Sequence, residues 1–395
     1  MQNTVLIIGN GFDLYHKLPT RYTDFLMLCD QWDEFLKIYN SYKNEEGKII
    51  QEDVNAQEQF EVRLDSYGRL IAESFLDFGN HSICYDLANI EFLKNNLCNN
   101  AWVQYFRETD YKKDGWIDFE REMENVLKNI ELYYSKLLPN LVGRIPNTIL
   151  EKRISSIIRL FGKKAKEPFK NLNSGIVHVD DIGPEIIQKQ KLALLDAMKE
   201  EMDILNRCIY IYLKEFVSRI KCTCYSKQVK DLKNVQLLSF NYTYTYNNVY
   251  KENSLREVHA VHGELSENNM VLGISDDAFE SMDYAYFLKF FQRIQKRTGV
   301  FYKKWVIEPS YRTLEDIPAK VHIIGHSLDN TDKGILKDFF CNQYVEKIYI
   351  YYHSQGAYEA QVINLINMFN KDFVIEQTAS GRIEFVELKP AVEVE

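Results

Sequence analysis

The stretch that most constrains the fold is a short apolar run near the amino terminus that ends in two glycines. Residues 4–8 read TVLII and are followed by Gly9, Asn10 and Gly11. Such a run is typical of a strand buried on both faces of a parallel sheet. Glycine, which has no Cβ, lets the following turn approach a ligand closely. The pattern predicts a nucleotide-binding βα turn, with a plain tight turn as the alternative, because Leu14 replaces the third glycine of the G-x-G-x-x-G fingerprint.

Composition and charge limit the classes of protein to which the chain can belong. The chain has 395 residues, a net charge of −9, and 26 tyrosines and 23 phenylalanines. It is long enough for two domains, and its acidity disfavours a protein that coats nucleic acid, although a local basic groove near residues 163–170 stays open. The scattered, odd number of cysteines, seven in all, predicts reduced thiols. No apolar run is long enough to cross a bilayer, so we expect a cytoplasmic protein.

The order of helical and strand-like segments predicts two domains. Between residues 20 and 230, apolar residues recur three and four apart, as in amphipathic helices. Strand-like runs return near residue 234 and alternate with helices, which is typical of a parallel sheet. We therefore predict an α/β domain formed by residues 1–19 and 231–395, with a mostly helical insertion at 20–230. The predicted strands after the insertion span 234–240, 257–261, 270–274, 320–325, 347–351 and 383–388.

Three loops follow predicted strands and carry small or polar residues. They are residues 9–13 (GNGFD), residues 239–243 (SFNYT) with His262-Gly263 downstream, and residues 325–329 (GHSLD). The carboxyl ends of parallel strands meet at one edge of a sheet, where open α/β sheets bind ligands. We therefore expect these side chains to converge on one crevice.

The order and spacing of these loops resemble the NAD site of the sirtuins. The glycine–alanine–glycine loop and later isoleucine–proline pair of that family align with Gly9, Gly11, Leu18 and Pro19, with Asp13 at a serine position. The family's Q-N-I-D stretch aligns with residues 240–243, its histidine–glycine pair with residues 262–263, and its G-T-S-L turn with residues 325–328. This resemblance implies a sirtuin-like, Rossmann-type parallel sheet.

The whole chain resembles the bacterial abortive-infection family AbiH more closely still, through IGNGFD, SFNYT, the HG pair and IGHSL. That resemblance implies a role in defence against bacteriophage. Sirtuin deacylases carry a four-cysteine zinc module after the histidine, whereas no cysteine lies between Cys224 and Cys341 here. No structural zinc is therefore expected. Defence-associated sirtuin-like domains without zinc cleave NAD to nicotinamide and an ADP-ribose product, which makes NAD hydrolysis the leading hypothesis.

Two residues are predicted to be catalytic in that reaction. The amide of Asn241 can hold a water or a ribose hydroxyl, and His262, whose ordinary pKa is near neutrality, can act as general base. The glycine amides would meet the pyrophosphate, while Asp13 and Ser327 would bind hydroxyl or phosphate oxygens. The complete predicted NAD-binding set is Gly9, Asn10, Gly11, Phe12, Asp13, Gly263, Gly325 and Ser327.

Each of these residues also has a structural interpretation. His262 could be a packed core histidine, Asn241 and Asp13 could be helix caps, and Ser327 a turn residue. The other histidines, His16, His259, His322 and His326, are interpreted as structural or rim residues.

Two other classes of function remain open from the sequence. Asp118 and Glu122 lie four residues apart and could bind Mg²⁺ in a nuclease, although a solvated acidic helix face is the favoured explanation. In the third class, the crevice binds a nucleotide without turnover and the helical block senses a phage-derived trigger. The tyrosine and phenylalanine excess would suit a homo-oligomer interface or an aromatic core.

Overall fold

The computed structural model describes residues 3–42, 85–109, 117–137, 149–166, 184–306 and 318–394. Its contacts divide the chain into two compact units. The sheet unit comprises Met1–Arg21, Leu213–Val271 and Gln292–Glu395, and the helical unit comprises Tyr22–Tyr212 and Leu272–Phe291. By their contacts, residues 213–230, predicted as insertion, belong to the sheet unit, and residues 272–291 belong to the helical unit.

Six strands form one parallel sheet, which confirms the predicted mixed α/β class. Its spatial order is β4-β3-β1-β5-β6-β7, and a two-residue pair, β2 and β8, forms a separate antiparallel ribbon. Counted along the chain, the six strands lie in the order 3-2-1-4-5-6, which is the order of the Rossmann fold. The strands are β1 Asn3–Ile8, β2 Cys224–Tyr225, β3 Val235–Ser239, β4 Leu255–Ala260, β5 Pro318–Ile324, β6 Lys347–Tyr352, β7 Ile383–Glu387 and β8 Val392–Glu393.

The strand predicted at residues 270–274 is wrong. Ile274 forms only an isolated bridge with Leu288. Upstream in the segment, the Val271 amide donates to the His262 carbonyl at 2.8 Å, and the Val271 carbonyl accepts from the Tyr242 hydroxyl at 2.7 Å. These bonds attach the segment to the loops after β3 and β4 rather than to a sheet ladder.

The helices have the following bounds in the structure. The shortest α-helices are single turns; longer ones carry the helical unit. They are α1 Asn10–Tyr15, α2 Tyr22–Tyr42, α3 Leu87–Asn96, α4 Ala101–Glu108, α5 Phe119–Leu137, α6 Ile149–Phe161, α7 Pro184–Ile211, α8 Lys227–Lys230, α9 Thr245–Val249, α10 Lys289–Gln295, α11 Lys303–Val306, α12 Lys333–Phe340, α13 Gln355–Phe369 and α14 Lys371–Ala379. The predicted helix at 60–78 and most of the predicted loop at 171–184 lie outside the described residues.

Alternate residues of β1 lie in two different cores, as a strand buried on both faces requires. Val5 and Ile7 pack in one cluster together with α12, α13 and α14. Leu6 and Ile8 pack in a second cluster with Phe12 and α9. Helices therefore cover both faces of the sheet, and β1 is central to both clusters.

Aromatic rings account for much of the core of the helical unit. Phe119, at the start of α5, stacks on Phe106 at 4.0 Å and on Tyr22 at 4.3 Å between ring centroids. Phe25 meets Phe119 edge to face. In this unit, part of the aromatic excess is therefore core packing. None of the helices in the described ranges is both long and apolar enough to span a membrane.

Candidate functional site

The candidate site lies where the loops after β1 and β5 meet. β1 has β3 on one side and β5 on the other, so successive strands are added in opposite directions from β1. Open α/β sheets bind ligands at this topological switch point, outside the carboxyl ends of the strands. The structure places residues 9–13, 240–243, 262–263 and 325–332 on the loops and first turns that leave these ends.

The glycines of the first loop are required by contact between two loops. The Gly9 amide donates to the Ile324 carbonyl at 3.1 Å, and the Gly11 amide donates to the Gly325 carbonyl at 2.8 Å. A Cβ on Gly9 or Gly11 would come within 2.9 Å of backbone atoms of Gly325, and one on Gly325 would lie 2.0 Å from the Phe12 nitrogen. The amides of Gly9 and Gly11 thus already donate to backbone carbonyls of β5 and its loop, and their contact with a pyrophosphate stays a prediction.

Asp13 lies in the first turn of α1 and is 1% exposed. Its Oδ2 accepts a hydrogen bond of 2.6 Å from the Thr243 hydroxyl, which lies 3.0 Å from the Thr245 hydroxyl. Burial raises the pKa of the Asp13 carboxyl from 3.8 to about 6, although Thr243, Thr245 and Asn241 act to lower it. The carboxylate does not serve as a helix cap, since Gly9 is the N-cap of α1.

Asn241 is a second buried polar residue close to the Asp13 carboxyl. Asn241 is 6% exposed, and its backbone is held by a turn in which Ser239 Oγ accepts from the Asn241 amide at 3.1 Å. Within the described part of the chain, the side-chain Nδ2 makes no hydrogen bond of normal geometry, and neither does Oδ1 of Asp13. The Asn241 amide lies near enough to Asp13 to lower its pKa without forming a bond of normal geometry. A buried donor and a buried acceptor thus lie close together without a hydrogen bond of normal geometry, an arrangement that costs free energy.

His262 is held by a carboxylate that the sequence did not single out. Its Nε2 lies 3.1 Å from Oδ1 of Asp332, and Nε2 of His326 lies 3.5 Å from Oδ2 of the same group. The Leu328 amide donates to Nδ1 of His326 at 2.9 Å. In the neutral imidazole, Nε2 of His326 therefore carries the proton and lies 3.5 Å from Asp332. An ionised carboxylate only accepts, so where Asp332 is ionised, Nε2 of His262 carries the proton in this contact.

The loop after β3 links the histidine pair to the carboxyl–amide pair. Phe240 meets His262 and His326 edge to face, at 5.3 and 4.5 Å between ring centroids. Tyr242 lies 6.4 Å from His262. Asn241 and Thr243 face Asp13, as described above. Four consecutive residues thus contribute to both halves of one polar crevice.

The remaining predicted binding residues have different environments. The Asn10 side chain is exposed and accepts from the Thr20 hydroxyl at 2.6 Å. Phe12 is fully buried in the second core cluster, so its ring is a packing element. Gly263 adopts φ +82°, and a Cβ there would lie 2.4 Å from the Asn269 carbonyl oxygen, which explains the glycine. Ser327 is exposed, and its carbonyl accepts from Asn364 at 2.9 Å.

Three of the four histidines interpreted as structural are packed away from this crevice's hydrogen bonds. His16 donates from Nδ1 to the Phe12 carbonyl at 2.7 Å and accepts from the Tyr250 hydroxyl at 2.9 Å. Burial lowers the pKa of His259 and of His322 to about 4 in each case. His326 differs from them, because its contact with Asp332 makes it part of the site.

Sequence reasoning missed Asp332 and both threonines. Asp332 stands directly before α12 and looks like a helix cap, but its side chain makes no capping bond. Asp329, three residues earlier, caps the intervening turn by accepting from the Thr331 amide at 3.0 Å. That the Asp332 side chain points to His262 and His326 is seen only in the fold. Thr243 carried the weak signal of following Asn241 in SFNYT.

The carboxyl pair of the nuclease hypothesis serves a structural purpose. Oδ1 of Asp118 accepts from the amides of Glu120 and Arg121 at 3.0 and 3.2 Å, which caps the amino terminus of α5. Glu122 lies one turn on, with an Asn125 amide 3.4 Å from its carboxylate. Within the described part of the chain, no three His, Cys, Asp or Glu side chains are grouped so that they could hold a metal ion.

The strand order and the site at the switch point define a Rossmann-like α/β protein with a polar crevice built from residues of four strand ends. A family model described as bacteriophage abortive infection AbiH matches residues 5–354. The chain belongs to this family, whose role is abortive-infection defence against phage. No curated protein matches the chain closely enough to be counted as a relative.

Proposed function

We propose that this protein binds NAD at the sheet-unit crevice and hydrolyses it to nicotinamide and ADP-ribose during phage infection. The observation that supports this best is the buried, unsatisfied pair formed by Asp13 Oδ1 and Asn241 Nδ2. A hydroxyl group is at once a donor and an acceptor, so one ribose hydroxyl can donate to the carboxylate and accept from the amide. The strand order and the sirtuin-like loop sequence favour a dinucleotide as the source of that hydroxyl.

In the proposed reaction, the bond between the ribose C1′ and the nicotinamide nitrogen breaks, and its electron pair neutralises the pyridinium nitrogen. A water oxygen forms the new bond to C1′, and the proton it loses passes to Nδ1 of His262. Asp332 holds that imidazole by its Nε2 proton and stabilises the imidazolium that forms. The hydroxyl between Asp13 and Asn241 fixes the ribose relative to the water.

The Gly9 and Gly11 amides already donate to β5 and the loop after it, so in this proposal side chains supply further contacts to the pyrophosphate. Asn10 and Ser327 are the exposed polar side chains of the two facing loops. They are the residues of the predicted set that remain for the phosphates.

The test is to incubate the purified chain with NAD, with and without lysate from phage-infected cells, and to measure nicotinamide release. Release that disappears in Asn241→Ala and in His262→Ala is the expected result. Release that persists in both variants, or that never occurs, would exclude hydrolysis at this site. Saturable NAD binding without release would favour the nucleotide sensor. Mg²⁺-dependent DNA or RNA degradation that is lost in Asp118→Ala would favour the nuclease.

A further inference from the structure

The helical unit contains a polar cavity of about 500 Å³ that lies between four of its helices. Its walls come from the end of α3, the link to α4, the end of α6 with the turn after it, and the middle of α7. A volume of this size falls within the range of about 300–1,000 Å³ found for small-molecule sites. Among the described residues of the lining, Leu160 and Ile204 are the apolar ones, so this wall favours a polar ligand.

The cavity is positively charged in an acidic chain. Among the described lining residues, Arg159, Lys163 and Lys164 are cations and Glu201 is an acid, and Arg159 is paired with Glu108, whereas the chain as a whole carries −9. Glu201 is buried and already satisfied, because the Ala101 amide donates to it at 2.6 Å and Lys164 lies 3.3 Å away. Lys163 has no ion-pair partner within the described ranges. The charge left for a ligand is therefore positive.

Carboxamide side chains line much of the remaining wall, and their positions are fixed. The Asn99 amide group donates to the Asn95 carbonyl at 3.0 Å, and that of Asn96 to the Phe92 carbonyl at 2.8 Å. Gln104 donates to the Cys98 carbonyl at 2.9 Å. Each of these amides uses one N–H internally and retains a second N–H and an oxygen. Such groups pair with base edges and sugar hydroxyls, as they do in nucleic-acid recognition.

We propose that this cavity is a second binding site, for a nucleoside phosphate. The phosphate lies against Lys163, Lys164 and Arg159, and the base and ribose lie against the amides. The guanidinium of Arg159 is already paired with Glu108 at 2.5 Å and lies 3.3 Å from the Ser156 hydroxyl, so its position at the wall is fixed and Lys163 supplies the charge that no described acid neutralises. This site belongs to a different unit from the crevice of the proposed NAD chemistry and does not depend on that chemistry.

Calorimetric titration of the full chain tests the proposal. The titrations use Asn241→Ala protein, so that binding at the sheet-unit crevice does not contribute, with AMP, ADP, adenosine and inorganic phosphate as probes. We expect one saturable site for AMP and ADP, and at least tenfold weaker binding of adenosine and of phosphate alone. Lys163→Glu is expected to weaken AMP binding by at least about tenfold, the loss of one charge-assisted contact.

Lys128→Glu is the matched control, because Lys128 is an exposed lysine of α5 in the same unit that does not line the cavity. It is expected to leave AMP affinity within about twofold. Equal weakening by both variants would indicate a general effect of net charge and would overturn the site. Absence of saturable binding by any probe, or AMP binding indifferent to Lys163→Glu, would overturn it as well. Melting curves for each variant establish that the fold is retained.

Discussion

Buried charged side chains of the two units differ in the partners they have. In the helical unit, Lys289 is 1% exposed and pairs with Glu120 at 2.8 Å, while buried Lys191 pairs with Glu131 at 2.7 Å. In the sheet unit, Asp13 is equally buried, yet one of its carboxyl oxygens has no partner. Unpaired buried groups are costly, and each one calls for an explanation such as strain, a catalytic role, or a water or ion that completes it. The two lysines are charges paired within the fold, whereas Asp13 has an oxygen that, in the proposed function, a ligand hydroxyl satisfies.

The largest expected effect is on turnover, from Asp332→Asn. The substitution removes the negative charge that orients His262 and stabilises its protonated form. Nicotinamide release should fall by about 10²–10⁴-fold, the range that general-base catalysis contributes, mainly through kcat. Asp329→Asn is the control, since Asp329 is a nearby acid that only caps a turn; it should change kcat less than about threefold.

A second readout for Asp332 does not require activity. Nitrogen-15 NMR of the histidine side chains should show the Nε2-protonated tautomer for both His262 and His326 in the wild-type protein. Asp332→Asn should shift the populations of both rings. Unchanged imidazole signals together with unchanged kcat would show that Asp332 does not position His262.

The next largest effect concerns the paired charges of the helical unit. Lys289→Ala leaves Glu120 without the lysine in a largely buried position, and breaking such a pair costs about 3–5 kcal/mol. Lys128→Ala removes an exposed i,i+4 partner of Glu124 and should cost less than about 1 kcal/mol. Urea denaturation followed by far-ultraviolet circular dichroism measures both.

If Lys289→Ala fails to fold, the double variant Lys289→Met with Glu120→Gln retains a test of the same idea. Removing both charges avoids an isolated buried carboxylate, so the double variant should recover most of the lost stability. A double variant no more stable than Lys289→Ala would show that the pair contributes packing rather than charge compensation.

The parallel sheet could be predicted from the sequence, whereas the partners of the buried acids could not. The apolar run before Gly9 and the strand-like texture after residue 234 predicted the parallel sheet, because hydrophobic periodicity reports burial directly. The glycine spacing also located the meeting of two loops, although it suggested phosphate contacts where the structure has loop-to-loop bonds. Asp332 could not be found, since an acid before a helix is usually a cap.

The sequence likewise cannot show that Oδ1 of Asp13 makes no hydrogen bond to the described residues. This depends on where Asn241 and Thr243 lie in the fold. In the sequence alone, a buried aspartate in the first turn of a helix looks the same as a capping aspartate. The raised pKa of Asp13, to about 6, is the measurable consequence of that environment. It provides the smallest but most direct test of the comparison between the units.

Asp13→Asn should stabilise the ligand-free protein at pH 8. Below pH 3.8 the carboxyl is protonated in both folded and unfolded chains, so the substitution changes little. Between pH 3.8 and about 6 the unfolded chain loses its proton while the folded one retains it, so wild-type stability falls as pH rises. Above pH 6 the loss is complete, and a pKa rise of about two corresponds to about 3 kcal/mol.

Denaturation of the wild-type protein and of Asp13→Asn at pH 4.5, 6 and 8 measures this difference in stability, which should be small at pH 4.5 and greatest at pH 8.

The affinity of Asp13→Asn for NAD is the second measurement. If Asp13 Oδ1 accepts a ligand hydroxyl, the stabilised variant should bind NAD at least about tenfold more weakly. Greater stability with weaker binding identifies a group retained for a ligand rather than for the fold. A variant destabilised at pH 8 would instead place Asp13 with the structural charges of the helical unit.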